Sequence, residues 1–511
     1  MEKTNRTFKK NPFRRIVAFV LCVTFVAVLF AQAVSAVYIK LPSHKDIAER
    51  IADEGTVLLK NDGALPLSAG DDVVSMGYQT YEYSITTPPS ISTTGFYPTS
   101  MVLGGLGSGK VYTDSCVSYL DGMKNAVTDG RIASYSAITD ATAASGKDKA
   151  IYYISRMMSE ANDSPEAAFY LTDTEKSNIT ALINAIGKEN VIVVLNVGSV
   201  VDTTWLIEQD VGAIVCAYYG GEMAGTSLAN VLTGAVNPSG KTVDTWASSY
   251  SDYPCVSVGT AHQNSTTKYT EDIYTGYRYF ETFDPNYEKV NYEFGFGLSY
   301  TQFALSDRSV TVDGSGCVTA TVTVTNVGAY SGKEVIQVYC GAPSTVIDNP
   351  SKELMGFAKT GLLAPGASET VTVTFELSDA ADFDDLGKLS ENSWVLQAGD
   401  YDFYIGNSIK DAGARGVVAT HTVDTSEIIS TETTDIETLL YERLTADGSF
   451  ELLNTSYNRI VNGYGSTLIQ AETYARSGYT KTRSESFYQG ALGGMGVGNL
   501  GNSSAYIEYD L

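Results

Sequence analysis

At 511 residues, with 43% hydrophobic and 18% charged positions, the chain is long enough for about two to four domains and too apolar to be a largely disordered polymer. A formal net charge of −25 argues against nucleic acid and anionic membrane surfaces as partners, because both would repel it. The 34 tyrosines, against three Trp and three His, fit two settings: surfaces that stack on sugars while hydrogen-bonding to them, and half-exposed strand faces.

In chain order, Lys3, Arg6, Lys9, Lys10, Arg14 and Arg15 precede an uncharged run over 16–36 that ends in AVSA. This is the pattern of an export signal cleaved after Ala36. The run is also long enough to span a bilayer uncleaved. Residues 1–36 are therefore expected to be a signal peptide or membrane anchor, and the remainder to be secreted or anchored at the cell surface. Of six cysteines, Cys22 lies in this segment. The others, Cys116, Cys216, Cys255, Cys317 and Cys340, show no metal-ligand spacing. Their odd number leaves at least one thiol free, and Cys317 and Cys340, flanking two strand-like runs, could pair.

From residue 43, strand and helix signals alternate. SHKDIAERIAD has Ser43 as a cap and Ile47 and Ile51 at helical spacing. TVLL is strand-like, KNDGALPL a turn, and VVSM and AIYYIS are buried-strand runs. TDTEKSNITALINAIG opens with a capping box, Thr172 and Glu175 three residues on. VIVVLN, AIVCAYY and the helical EMAGTSLANVLTG follow. Such alternation predicts an α/β fold with a mainly parallel sheet covered on both faces.

Inside this region, residues 103–111 read LGGLGSGKV. This is nearly a phosphate-binding loop, but Val111 stands where the magnesium-binding hydroxyl is required. The flanking TTGFYPTSMV and YTDSCVSYL do not supply the strand and helix that such a loop joins. Nucleotide binding is excluded on these grounds, and the glycines need another role.

Residues 245–300 are irregular and rich in Tyr and Gly. From about 303 to 425, VTATVTVTNVG, KEVIQVYCG, SETVTVTFEL and GDYDFYIGN alternate with period two, the pattern of an all-β sandwich. Residues 426–465 are polar, with a short helical piece IETLLYERL, and read as a linker. After 466, STLIQAETYARSGY and SSAYIEYDL are strand-like again. The remaining 466–511 hold too few strands to close a β core, so the printed sequence is expected to stop inside a partial module.

These segments resemble glycoside hydrolase family 3. ADEGTVLLKNDGALPL looks like the opening of that family's C-terminal α/β sandwich domain, and GGLGSGKV like its Gly-rich loop near the active site. GAVNPSGKTVDTW, YTEDIYTGYRYFET and YEFGFGLSYTQF follow in the family's order. NPSKELMGFAKTGLLAPGASETVTVTF resembles its fibronectin type III-like domain. The resemblance implies an α/β sandwich over 43–300 and a fibronectin type III-like domain over 301–425. It also implies a β-glucosidase-like hydrolase acting on terminal β-linked sugars of oligosaccharides or polysaccharides. The family's (β/α)8 barrel, which carries the nucleophilic Asp in an S-D-W-like motif, does not precede residue 45. The resemblance therefore points to reversed domain order, with the barrel of the same polypeptide beyond Leu511. Ser251, Asp252 and Tyr253 are the sole Ser-Asp-aromatic match, but they lie in the family's segment after the sandwich and are rejected as nucleophile. This stretch alone is accordingly expected to be inactive.

Retaining hydrolysis needs two carboxyl groups about 5–5.5 Å apart, one a nucleophile and one a general acid/base. The family's acid/base loop reads roughly R-x-S-G-E-G-x-D-R. Here RMMSEANDS, residues 156–164, aligns without gaps and places Glu160 at the acid/base position. Ser159 and Ala161 replace the flanking glycines and Ser164 the final Arg. Beside the catalytic reading, Glu160 also fits a solvated loop carboxylate. Glu271, in YTEDIYTGYRYF with Tyr269, Tyr274, Tyr277 and Arg278, is the weaker alternative; packing against the barrel is the role read for that motif. Gly107, Ser108, Lys110 and Arg156 are the substrate-binding candidates that the resemblance implies. No cofactor is expected for catalysis. The final IQAETYARSGY…GGMGVGNLGNSSAYIEYDL resembles the start of a family 6 carbohydrate-binding module. There Gln470 and Glu472 would contribute to a structural calcium site, or be two polar residues on a solvent face. A non-catalytic carbohydrate-binding or scaffold protein is the competing functional reading.

Overall fold

The computed structural model describes residues 43–77, 104, 116–157, 164–257, 270–432 and 442–452. Four short strands follow, Tyr474–Ser477, Phe487–Ala491, Gly494–Val497 and Ile507–Tyr509. The described residues from Ala48 onward belong to one compact unit.

A six-stranded sheet organises the α/β region. Its strands are β1 Val57–Asn61, β2 Asp72–Gly77, β3 Ser134–Ala137, β4 Lys149–Arg156, β5 Val191–Val197 and β6 Ala213–Cys216. They lie in the order β1-β6-β5-β4-β2-β3. β2 to β6 are parallel, and β1 runs antiparallel on the edge beside β6. Strands β4, β5 and β6 read as unbroken apolar runs because both of their faces are covered. One face packs Ile154, Val193 and Leu195 with Ile179 and Leu182 of the helix Asp173–Ile186. The other packs Ile151, Tyr153 and Val194 with Met123 of the helix Tyr119–Thr128 and Leu228 of the helix Ala224–Leu232. Successive strand residues point to opposite faces, so one sequence run supplies both cores.

The helix Tyr119–Thr128, capped by Ser118, begins inside YTDSCVSYL, a stretch whose sequence pattern does not announce a helix. Gly122 is the reason. It weakens the helical pattern locally, yet a Cβ there would sit 1.9 Å from Gly225 O of the neighbouring helix. The glycine pair lets the two helices approach, a benefit visible only in three dimensions.

Two short strands, β7 Trp246–Ala247 and β8 Val290–Tyr292, pair across the irregular segment. The β-sandwich follows. One sheet is β13-β10-β9, from β9 Phe303–Val312, β10 Cys317–Asn326 and β13 Ser368–Glu376. The other is β12-β11-β16-β17, from β11 Val335–Gly341, β12 Glu353–Lys359, β16 Gly399–Gly406 and β17 Ala419–Val423. β10 alternates strictly between buried and half-buried positions, as its V-T period requires. The two sheets close on Val322, Val338, Phe375 and Phe403. Cys317 and Cys340 stand in opposite sheets, and both are free thiols. Cys340 points into the core at 1% exposure while Cys317 is half-buried, so the pairing considered from sequence does not form.

Beyond the sandwich, β14 Asp382–Asp384, β15 Ser393–Leu396 and β18 Glu427–Thr431 make a small sheet. β19 Glu442–Leu444 and β20 Phe450–Leu452 form a hairpin. The residues ERL that end the expected helical piece are thus strand, and residues 442–452, within the stretch expected to be a linker, bond to Thr270 and Asp348. Asp447 followed by Gly448, with Gly448 at φ +81°, is the hairpin signal that the helical reading overrode. Farther on, Tyr474–Ser477 pairs antiparallel with Ile507–Tyr509, and Phe487–Ala491 with Gly494–Val497.

Candidate active site

β2 and β4 are neighbours in the sheet and parallel. The chain leaves β2 toward β3 on one side and leaves β4 toward β5 on the other. Their C-terminal ends therefore flank a topological switch point, where open α/β sheets leave a crevice for ligands. The segment carrying Gly107, Ser108 and Lys110 follows β2. The segment carrying Glu160 follows β4. These four residues lie outside the described residues, as do Gln470 and Glu472; the strand ends that precede the first two segments are well defined.

Gly77 ends β2 at φ +95°, and a Cβ on it would meet Tyr153 O of β4 at 2.3 Å. No L side chain fits there, so glycine is what allows the chain to turn off the sheet at this point. At the end of β4, Arg156 is 1% exposed. Its Nε donates to Ala168 O at 3.1 Å. Nη1 donates to Ser155 O at 3.0 Å and to Glu175 Oε1 at 2.7 Å. Nη2 donates to Tyr170 O at 3.3 Å and to Glu175 Oε2 at 2.7 Å. A guanidinium has five N–H donors, and protein acceptors occupy all of them. The geometry of Arg156 is that of an anchor for the strand end.

The partner carboxylate is positioned by local sequence. Thr172 caps the helix Asp173–Ile186 by accepting from Glu175 N, and Glu175 Oε2 accepts from Thr172 N at 2.8 Å. The capping box was legible in the sequence; its second role, neutralising a buried Arg, was not. A buried guanidinium demands a buried acid, which is the signal that could have linked them.

Adjacent strand ends are tied in the same way. Ser155 Oγ donates to Asn196 Oδ1 at 3.2 Å, and Asn196 Nδ2 donates to Tyr218 O at 2.6 Å. Tyr219 Oη donates to Arg156 O at 2.7 Å. Beside Arg156 lies a pocket of about 200 Å³, lined mainly by apolar and aromatic groups, among them Pro165, Phe169, Val201, Tyr250 and Tyr253. Phe169 meets the rings of Tyr250 and Tyr253 at 5.9 and 6.0 Å. Tyr253 is fixed by accepting from Ala247 N at 3.0 Å and donating to Thr245 O at 3.1 Å. Burial raises its hydroxyl pKa well above the ordinary tyrosine value, so it stays neutral and can only stack or hydrogen-bond.

Glu271 is half-buried in a turn before the helix Tyr277–Phe283, and its carbonyl accepts from Tyr274 N at 2.9 Å. Much of its motif packs inward. Tyr274 is fully buried. Tyr277 stacks on Phe294 at 4.5 Å and accepts from Leu354 N on β12. Arg278 pairs with Glu353 on the same strand at 2.9 Å. This aromatic stretch thus contacts the β-sandwich. Asp252 accepts from Ser248 Oγ at 3.3 Å and lies 3.9 Å from Lys289. Among the described residues, no group of His, Cys, Asp and Glu side chains is arranged to hold a metal ion, and no helix is long and apolar enough to cross a membrane.

Comparison with known proteins agrees with this architecture. Residues 56–300 match the glycosyl hydrolase family 3 C-terminal domain, and residues 334–409 match a fibronectin type III-like domain. The chain is 36% identical over 483 residues to beta-glucosidase A of Butyrivibrio fibrisolvens, covering 80% of this chain and 55% of that protein. It is 32% identical over 416 residues to thermostable beta-glucosidase B of Acetivibrio thermocellus, covering 79% of this chain and 51% of that protein. A solved beta-glucosidase from Paenibacillus barengoltzii superimposes with a TM-score of 0.67 at 31% identity, over 81% of this chain and 48% of that one. The chain thus spans about half the length of these relatives.

Proposed function

We propose that this chain is part of an exported family 3 glycoside hydrolase, β-glucosidase-like, that removes terminal β-linked sugars with retention of configuration, and that Glu160 is its general acid/base. One observation carries the reading. The two segments that sequence marks as active-site loops leave from the C-terminal ends of β2 and β4, the strands flanking the switch point. A ligand crevice belongs there. The beta-glucosidase relatives support the reaction class.

In this reading the nucleophilic carboxylate comes from a barrel domain of the same polypeptide. It attacks the anomeric carbon while Glu160 protonates the departing glycosidic oxygen. The ionised Glu160 then takes a proton from water, which attacks the glycosyl-enzyme and releases the sugar with its original configuration. Arg156 and Glu175 act indirectly, by fixing the strand end from which the Glu160 segment departs. The export signal, and a C-terminal carbohydrate-binding module in which Gln470 and Glu472 help hold a structural calcium, belong to the same proposal. Sequence pattern alone supports them.

The test is Glu160→Gln in the complete polypeptide. General acid–base help is typically worth 10²–10⁴-fold. Hydrolysis of unactivated disaccharides should fall by that order, while formation of the glycosyl-enzyme from activated aryl glucosides should be nearly unaffected. Azide, which needs no deprotonation before it attacks, should restore turnover of the aryl glucosides and yield the β-glycosyl azide. Disaccharide turnover within about threefold of wild type, a barrier change under about 1 kcal/mol, would remove Glu160 from the role.

A further inference from the structure

The β19–β20 hairpin lies beyond both matched regions, yet it grips the Glu271 turn. Leu444 is 4% exposed, and its N–H donates to Thr270 O at 2.7 Å. The Gly448 tip lies against the Phe283 ring, close enough that a Cβ there would be 3.7 Å from Phe283 Cε1. Between these contacts, Arg443 reaches Asp272 at 3.6 Å, Asp385 at 3.4 Å and Glu451 at 3.4 Å, with its side chain only 12% exposed. Ala446 N donates to Asp348 Oδ2 at 3.1 Å.

Asp272 follows Glu271 directly and sits in the left-handed region at φ +50°. A non-glycine residue there is uncommon, and its surroundings must hold it in place. Its own carboxylate gives the means. Burial, with Asp385 and Asp348 nearby, raises the pKa of Asp272, and Arg443 opposes that rise. Arg443 thus faces carboxylates from three elements: Asp272 of the turn, Asp385 just after β14, and Glu451 of the hairpin itself.

We propose that Arg443 is a positioning residue: through Asp272 it holds turn 270–276 in the conformation that presents Glu271. That Arg443 holds the turn does not depend on the function proposed above.

Hydrogen exchange of the whole chain, corrected for the intrinsic rate at each pH, tests this without reading activity. Arg443→Gln should speed exchange of peptide 270–276 by about tenfold or more at pH 7, with β5 unchanged, because the loss is a local opening. Arg443→Lys should recover most of the protection. Adding Asp272→Asn to Arg443→Gln should remove much of the excess exchange, since the carboxylate left uncompensated is then gone. Lowering the pH from 7 to 5 should shrink the excess in Arg443→Gln and leave the wild type little changed. Three results would each overturn the proposal. One is exchange of 270–276 within about twofold of wild type in Arg443→Gln. Another is a double variant no better than the single one. The third is equal loss of protection in β5, which would make Arg443 a global prop.

Discussion

The Arg156 guanidinium and the Glu175 carboxylate form a two-toothed ion pair at 2.7 Å, with both side chains 1% exposed. One is the last residue of β4; the other sits in the first turn of the helix Asp173–Ile186. The pair closes the excursion that carries Glu160, because residues 157–172 begin and end beside it.

Removing one member leaves a buried charge without its partner, which typically costs about 3–5 kcal/mol. Glu175→Gln also replaces the carboxylate that accepts from Thr172 N. The urea midpoint of the α/β region should fall accordingly with unchanged slope, read from Trp205 and Trp246 in a Trp394→Phe background. A loss below about 1 kcal/mol, the worth of a surface pair, would show that the pair is not the anchor described here.

Gly77 makes a second, backbone-level prediction. Alanine would have to adopt φ +95° while its methyl met Tyr153 O at 2.3 Å. Strain of this kind costs about 1–3 kcal/mol before any clash is counted. Gly77→Ala should therefore destabilise the α/β region by at least about 2 kcal/mol. Gly70→Ala, with nothing within 4 Å of the new methyl, should be close to neutral in the same assay.

Asp382, on β14 of the small sheet beyond the sandwich, gives a pH dependence. Burial raises its carboxyl from 3.8 to about 6, with Gln397 and Asn349 partly opposing the rise. The folded state therefore binds the proton more tightly than the unfolded chain does. The site is neutral and unpenalised below about pH 4, and stability is lost as pH rises from there through 6. Both side-chain donors reach the same oxygen, Oδ2, which an asparagine carbonyl can replace. Asp382→Asn should stabilise the domain at pH 7.5 by up to about 3 kcal/mol, with the gain fading to nothing near pH 4. Urea midpoints read from Trp394 at both pH values check this. A gain that is independent of pH would mean that the raised pKa is not its source.

Local pattern was enough to reveal the α/β order, the V-T alternation of β10 and the capping box at Thr172, because each is set by neighbours within a few residues. Tertiary structure alone decided that β2 and β4 are adjacent, and so that the segments bearing Lys110 and Glu160 follow neighbouring strands. Pairing between strands some 75 positions apart leaves no local periodicity to read. Tertiary structure alone also revealed Arg156 as the partner of Glu175, since burial and donor satisfaction depend on what surrounds a side chain. Residues 442–444, the end of the expected helical piece, are strand for the same reason. Three-residue strands carry too little pattern to declare themselves, and they are held by Thr270, Asp272 and Asp385, remote in sequence, rather than by any propensity of their own.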